Sequence, residues 1–117
     1  MHRLLIMLMA LTTTAAAGEI DQLGAVAALQ QPNSVLIDVR TATEFAQGAL
    51  PGATRIETHH LAQRIGDIAP DKDAPVILYC RTGRRSSAAE DLLEELGYTR
   101  VINAGGYDDL KAALPAR

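Results

Sequence analysis

The chain has 117 residues and a formal net charge of −3, which fits one domain with a modest hydrophobic core. Its acidic balance argues against nucleic acid or a membrane surface as a partner of the whole domain. The single cysteine, Cys80, excludes an internal disulfide, and no cysteine and histidine stand at the spacing of a zinc site. We therefore expect a small globular domain without a structural metal.

The first 17 residues have the layout of a secretory signal peptide. A short basic start precedes an apolar run over residues 4–11, and small residues then lead to Ala17. The apolar run is far shorter than the ~20 residues that span a bilayer. We expect export to the periplasm, cleavage near Ala17, and a single domain over residues 18–117 that has no membrane contact after cleavage.

The rest of the chain alternates helical patterns with short strand-like runs. Helices are predicted over residues 21–31, 41–48, 58–68, 86–97 and 107–114. Strands are predicted over residues 35–39, 53–56, 76–79 and 100–103, with a turn at 105–106. This alternation predicts an α/β fold, in which a small central parallel sheet has helices on both faces. Such sheets place their ligand site outside the carboxyl ends of the strands.

Four side chains outside the main motif are assigned structural or surface roles. Asp21 is predicted to be the N-cap of the first helix. Glu44 stands three residues after a threonine, as in a capping box, and is predicted to cap its own helix. His59 and His60 are adjacent near a helix start, and we interpret them as surface residues rather than metal ligands.

The clearest chemical signal is the loop that follows the strand at residues 76–79. The loop and its flanks read Tyr79-Cys80-Arg81-Thr82-Gly83-Arg84-Arg85-Ser86-Ser87. Unpaired N–H groups and the dipole at the start of a helix, together with three arginines, favour the thiolate of Cys80. Gly83 permits a turn in which successive amides face inward and bind an anion. We therefore predict an exposed, ionised cysteine that acts as a nucleophile.

This loop resembles the active-site motif of the rhodanese family. Three further segments resemble motifs of the same family: Asp38-Val39-Arg40 with Glu44-Phe45, residues 48–53, and Gly105-Gly106. Together they are most similar to single-domain periplasmic rhodaneses of the phage-shock type. Two positions depart from the family pattern and bear on substrate preference, since Ala49 replaces a histidine and Tyr107 stands where tryptophan is common.

The resemblance implies a rhodanese-like three-layer sandwich and a thiosulfate sulfurtransferase that needs no cofactor. Cys80 would take the outer sulfur of thiosulfate as a persulfide, and cyanide or a thiol would then remove it. Asp38 and Arg40 would support the loop as a buried ion pair. Substrate binding through amides and guanidinium groups would fall to Arg81, Thr82, Gly83, Arg84, Arg85 and Ser86.

Three other interpretations use the same scaffold. A persulfide carrier or storage protein would deliver sulfur from the cysteine to a protein partner. A cysteine-dependent phosphatase or arsenate reductase would need a longer loop than the four residues between Cys80 and Arg85. A non-enzymatic rhodanese-like module would usually lack the cysteine. Turnover with cyanide, glutathione and dithiols separates the enzyme from the carrier, and hydrolysis of a phosphorylated compound would indicate the phosphatase.

Overall fold

The computed structural model describes residues 19–115, so the predicted signal peptide lies outside the described residues. Within residues 19–115 no helix is long and apolar enough to cross a membrane. The helices are α1 (Gln22–Leu29), α2 (Ala42–Ala46), α3 (Thr58–Ile68), α4 (Arg84–Glu95) and α5 (Tyr107–Ala113). The strands are β1 (Val35–Asp38), β2 (Thr54–Arg55), β3 (Val76–Cys80) and β4 (Val101–Gly106).

The four strands form one parallel sheet in the order β2-β1-β3-β4. A separate apolar cluster covers each face of this sheet. Every residue of β3 is buried, because a parallel strand in the middle of the sheet is covered on both sides. These features confirm the predicted α/β fold with helices on both faces.

Alternation along β3 decides which face each side chain joins. Val76, Leu78 and Cys80 pack in the cluster that includes Leu61 of α3 and Leu93 of α4. The residues between them pack in the other cluster, with α1 and α5. Cys80 therefore ends β3 on the α4 side of the sheet, directly below the start of that helix.

Two predicted helix starts are confirmed by their hydrogen bonds. The backbone N–H of Gly24 donates to the Asp21 carboxylate at 2.9 Å, so Asp21 is the N-cap of α1. At α2 the backbone N–H of Glu44 donates to the Thr41 hydroxyl, and the Glu44 carboxylate accepts from the backbone N–H of Thr41. This reciprocal pair is the predicted capping box.

Helix α4 begins earlier than predicted. Its first residue is Arg84 rather than Ser86 or Ser87, and its N-cap is Gly83, which makes no side-chain cap. A serine was predicted as the N-cap of α4 because hydroxyl side chains are common at the N-cap position. Here the left-handed backbone of Gly83 makes the turn, so both serines lie inside the helix.

The predicted turn at Gly105 and Gly106 is wrong, because both residues belong to β4. The pairing of β3 with β4 shifts between Leu78↔Asn103 and Cys80↔Gly106, so β4 has one extra residue in this interval. Gly105 carries the bulge with a φ of +88°. The bulge keeps the end of β4 beside the loop that follows β3.

Candidate active site

Cys80 lies where β3 ends and the chain turns back into α4. The backbone N–H of Gly83 donates to Sγ of Cys80, with 2.9 Å between the two heavy atoms. The Ser86 hydroxyl oxygen, in the first turn of α4, is 3.4 Å from the same sulfur. The strand end and the helix start thus place a main-chain donor and a hydroxyl group around one thiol.

The surroundings of Cys80 act on its pKa in opposite directions. Burial of the thiol raises the pKa, because it removes the charged form from water. Hydrogen bonding by Ser86 and by the backbone N–H groups of Ser86, Thr82 and Gly83 lowers it, and the net pKa lies below that of a free thiol. The predicted bias toward thiolate is therefore present, and most of its donors are backbone groups.

The expectation of an exposed cysteine is wrong. Cys80 has no exposed surface, and Gly83 and Ser86 are buried with it. The loop itself covers the sulfur, because the donors that approach it come from the chain that arches over it. Arg81 and Thr82 form the exposed tip of this arch, and the Arg84 side chain is exposed beyond it.

Two glycines allow the arch to lie so close. Gly83 has a φ of +92°, and a Cβ atom there would lie 2.6 Å from Cδ1 of Ile20. A Cβ atom on Gly106 would lie 2.5 Å from the carbonyl oxygen of Arg81. Any side chain at either position would displace the loop or its support.

Asp38 and Arg40 form a buried ion pair at the end of β1. Nε of Arg40 is 3.0 Å from both carboxylate oxygens of Asp38, and Nη2 is 2.7 Å from Oδ2. The same Nη2 donates to the carbonyl of Gly48 at 2.7 Å. The guanidinium carbon of Arg40 is 4.3 Å from the centre of the Tyr107 ring. The pair therefore joins β1, the segment after α2 and the start of α5.

Glu44 has a second role that its position in the sequence does not reveal. Its carboxylate accepts two hydrogen bonds from Arg85, 2.7 Å from Nη1 to Oε1 and 3.0 Å from Nη2 to Oε2. This bidentate pair lowers the pKa of Glu44 to about 2. Arg85 is thus held against α2, whereas the resemblance to rhodaneses implies that its guanidinium group binds the substrate.

A pocket of about 290 Å³ opens beside the loop tip. It is lined by Arg40, Glu44, Gln47, Gly48, Arg81, Tyr107 and Asp108. The pocket therefore brings Arg81 and Arg40 to one concave surface, while Arg84 is not among its lining residues. A larger cavity of about 620 Å³ lies between α1, α5 and residues 50–52, and no loop residue lines it.

Asn103 is a buried residue of the site that the sequence analysis did not select. Its Oδ1 accepts from the Ser86 hydroxyl at 2.6 Å and from the backbone N–H of Gly105 at 3.0 Å. Its Nδ2 donates to the carbonyl of Gly83 at 3.1 Å. In the sequence, the signal available was a polar side chain at the end of the predicted strand 100–103, because most of its partners lie elsewhere in the chain.

His59 and His60 lie on the surface, as predicted, at the start of α3. One potential ligand atom from each, and one from Glu57, lie within 4.8 Å of one another. Arg55 approaches the same carboxylate at 3.8 Å, and the positive end of the helix dipole also disfavours a cation here. This cluster is far from the Cys80 loop in the chain, and it shares no residue with the pocket beside that loop.

A cysteine that accepts main-chain hydrogen bonds at the start of a helix has the surroundings that favour an activated thiol. Residues 23–113 match the family of the rhodanese-like domain. Thiosulfate sulfurtransferase PspE of Escherichia coli is 42% identical over 79 residues, which cover 68% of this chain and 74% of PspE. Thiosulfate sulfurtransferase GlpE of Pseudomonas fluorescens is 32% identical, over 76% of this chain and 81% of GlpE.

The fold of the chain is also similar to that of a solved rhodanese. A solved structure described as a rhodanese with anions, from E. coli, superimposes with a TM-score of 0.66 at 40% sequence identity. The match covers 70% of this chain and 94% of that one. The chain belongs to the rhodanese-like family, which confirms the identification made from the Cys80 loop.

Proposed function

We propose that this protein transfers sulfur from thiosulfate to a thiophilic acceptor through a persulfide on Cys80. Its family and its similarity to two thiosulfate sulfurtransferases confirm the prediction of a sulfurtransferase enzyme. The observation that carries the proposal for this chain is the hydrogen bond from Gly83 N–H to Sγ of Cys80, at 2.9 Å. That donor points at the atom that carries the negative charge in the thiolate, and in the persulfide the charge moves to the outer sulfur bonded to that atom.

The first half-reaction is a displacement at sulfur. The Cys80 thiolate attacks the outer sulfur of thiosulfate, a new S–S bond forms, and the bond to the SO₃ group breaks. Sulfite leaves with the electron pair, and the persulfide anion remains on the enzyme. The backbone N–H groups that lower the pKa of the thiol then face the persulfide. No metal or organic cofactor takes part in this scheme.

The second half-reaction returns the cysteine. Cyanide or a thiolate attacks the outer sulfur of the persulfide, and the S–S bond to Cys80 breaks with its electron pair on Sγ. Cys80 is left as the thiolate, and thiocyanate or a new persulfide on the acceptor is released. We place the donor and the acceptor in the pocket beside the loop, where the exposed guanidinium group of Arg81 supplies positive charge. Arg40 is paired with Asp38, and Glu44 and Asp108 also line the pocket, so Arg81 is the group on which anion binding depends. The bound anions named for the E. coli rhodanese structure support an anionic substrate.

Access to the sulfur requires the loop to move. Because Cys80 has no exposed surface, thiosulfate cannot reach it while the loop is closed. The exposed tip at Arg81 and Thr82 is the segment that has least packing to lose, so we propose that it opens to admit the donor.

The same burial favours one second function, a carrier that stores sulfur for a protein partner. A persulfide enclosed by the loop would be protected from small thiols and oxidants. The two functions differ in turnover. An enzyme transfers sulfur repeatedly to cyanide, glutathione or a dithiol, whereas a carrier is loaded once and released slowly without its partner.

The deciding experiment is intact-mass measurement after thiosulfate treatment, followed by a thiosulfate:cyanide assay. The protein is expected to gain the mass of one sulfur atom and to produce thiocyanate, and Cys80→Ser is expected to do neither. Sulfur uptake by Cys80→Ser, or none by the unmodified protein, would contradict the mechanism. Hydrolysis of a phosphorylated compound without sulfur uptake would point to the phosphatase instead.

We also propose that the protein is exported and works in the periplasm. The support is the sequence of residues 1–17, which has a basic start, an apolar run and a small residue at Ala17. The mass of the protein recovered from a periplasmic extract tests this, because cleavage near Ala17 predicts a mature chain that begins at Gly18. A cytoplasmic protein of full length would contradict it.

A further inference from the structure

Asn103 joins the two parts of the loop that contact the sulfur. Its side chain bonds to the carbonyl of Gly83 and to the hydroxyl of Ser86. Gly83 supplies the N–H that lies 2.9 Å from Sγ of Cys80, and the Ser86 oxygen lies 3.4 Å from the same atom. Asn103 is fully buried, so these bonds are not exchanged with water.

Two backbone groups determine the orientation of the Asn103 amide. The carbonyl of Gly83 can only accept, so Nδ2 must face it. The N–H of Gly105 can only donate, so Oδ1 must face that group. The bulge in β4 places the Gly105 N–H there. The amide orientation is therefore set by the chain itself and needs no assumption about the serine.

This orientation in turn directs the Ser86 proton. Oδ1 of Asn103 carries no hydrogen, so the 2.6 Å contact requires the Ser86 hydroxyl to donate to it. The hydroxyl has only one proton, so while this bond holds it presents a lone pair to Cys80, and it lowers the pKa of Cys80 only when the proton turns from Asn103 to the sulfur. To donate to a thiolate, Ser86 would have to break its bond with Asn103, whereas Gly83 N–H already points at the sulfur.

We propose that Asn103 is a positioning residue that holds the Gly83 N–H on the sulfur while the charge on that atom forms and moves. The inference rests on the proposed sulfur transfer for its role, but its geometry concerns only the thiol. By fixing the Gly83 carbonyl, Asn103 fixes the peptide turn that follows, and by fixing Ser86 it anchors the first turn of α4. Asn103 acts through these two residues and does not touch the substrate.

The side chain of Asn103 is not what holds β4 in the sheet. The strand is held by its ladder with β3, in which Asn103 pairs with Leu78. The backbone carbonyl of Asn103 also accepts from the N–H of Asp21 at 2.8 Å. These main-chain bonds remain when the side chain is shortened, so the loop is the part that should change.

The test is the pH dependence of the rate at which iodoacetamide alkylates the purified protein. For Asn103→Ala we expect the midpoint to move about one pH unit higher, the equivalent of one lost hydrogen bond to a charged acceptor. The same shift is expected in a Ser86→Ala background, because the effect acts through Gly83. Tyr98→Phe is the control, since it removes a buried hydrogen bond to Ala69 away from the loop.

An unchanged midpoint in folded Asn103→Ala, or a shift that vanishes in the Ser86→Ala background, would overturn the proposal. If Asn103→Ala does not fold, nitrogen-15 NMR of the unmutated protein decides. The side-chain amide signals of Asn103 should then shift with the midpoint of alkylation, and signals that stay fixed would overturn it. Alkylation needs no thiosulfate, so a protein that shows the shift but accepts no sulfur keeps this role and loses the proposed activity.

Discussion

Two regions of different physical kind surround Cys80. The main-chain cradle consists of the backbone of residues 80–86 and the Asn103 side chain. Its buried residues make hydrogen bonds that the fold holds in place. The charged rim, which consists of Glu44, Arg81 and Arg85, is exposed or half-buried. Buried hydrogen bonds keep their strength, whereas exposed charges are screened by water and salt. We therefore expect the cradle to control the chemistry of the sulfur and the rim to control the capture of anions.

The largest effect is expected where the cradle is broken directly. Gly83→Ala forces a side chain into a backbone with a φ of +92° and against Ile20, 2.6 Å from the new Cβ. Ile20 is exposed and can move aside, but the strained φ and the Gly105 Cα, 3.2 Å from the new Cβ, act on the loop itself, so we expect Gly83 N–H to leave the sulfur. We expect sulfur uptake from thiosulfate, measured by intact mass against time, to slow at least about tenfold, with a loss of about 1–2 kcal/mol in the free energy of unfolding.

Gly52→Ala is the matched control for this change. Gly52 also has a positive φ, +80°, but a Cβ atom there would have no neighbour within 4 Å. The backbone strain is then similar and the loop is untouched, so stability should fall while sulfur uptake stays normal. Equal losses of uptake in both variants would mean that general destabilisation, not the cradle, explains the result.

A smaller effect is expected at the rim. Arg81→Gln and Arg84→Gln remove the same charge from neighbouring positions, but only Arg81 lines the pocket. We expect Arg81→Gln to raise the KM for thiosulfate roughly fivefold, the factor for one exposed charge pair, and Arg84→Gln to change it less. The difference should shrink in high salt. Equal KM values at low salt would show that the pocket does not bind the donor.

Only part of the main-chain cradle could be predicted from the sequence. The position of Cys80 at the end of a buried strand, the turn at Gly83 and the helix that follows could be predicted, because strand, turn and helix each leave a local pattern. The burial of the thiol could not, since it depends on how tightly the loop folds back. The role of Asn103 also escaped, because its bonds to Gly83 and Ser86 join residues 17 or more positions apart.

At the charged rim, too, the sequence predicted a contact between near neighbours but not one between distant residues. The capping box predicted the bond between Glu44 and Thr41, three residues apart, and the structure has it. The stronger partner of Glu44 is Arg85, 41 residues away in the chain, and only the parallel order of the strands brings the two together. Local spacing therefore identified the helix cap and missed the ion pair that uses the same carboxylate.

The smallest effect is expected when this ion pair is broken at Glu44. Hydrogen bonds from Arg85, with smaller contributions from Thr41, lower the pKa of Glu44 to about 2 in the folded protein, against roughly 4.3 in an unfolded chain. A carboxylate with a lowered folded pKa stabilises the fold fully above the unfolded value, and this contribution is lost as the pH falls toward 2. Glu44→Gln should therefore lower the free energy of unfolding by about 1 kcal/mol near neutral pH.

The pH dependence is what distinguishes the ion pair from an ordinary surface change. In urea titrations the deficit of Glu44→Gln should be constant from pH 7 to about pH 5 and should shrink below about pH 4, because the unmutated protein then loses the same contribution. Glu94→Gln, an exposed position on α4, should show no such convergence. A Glu44→Gln deficit that stays constant down to pH 3 would mean that the pair with Arg85 does not form in solution. Arg85 would then be free to bind the donor, and the rim would contribute two arginines to the pocket instead of one.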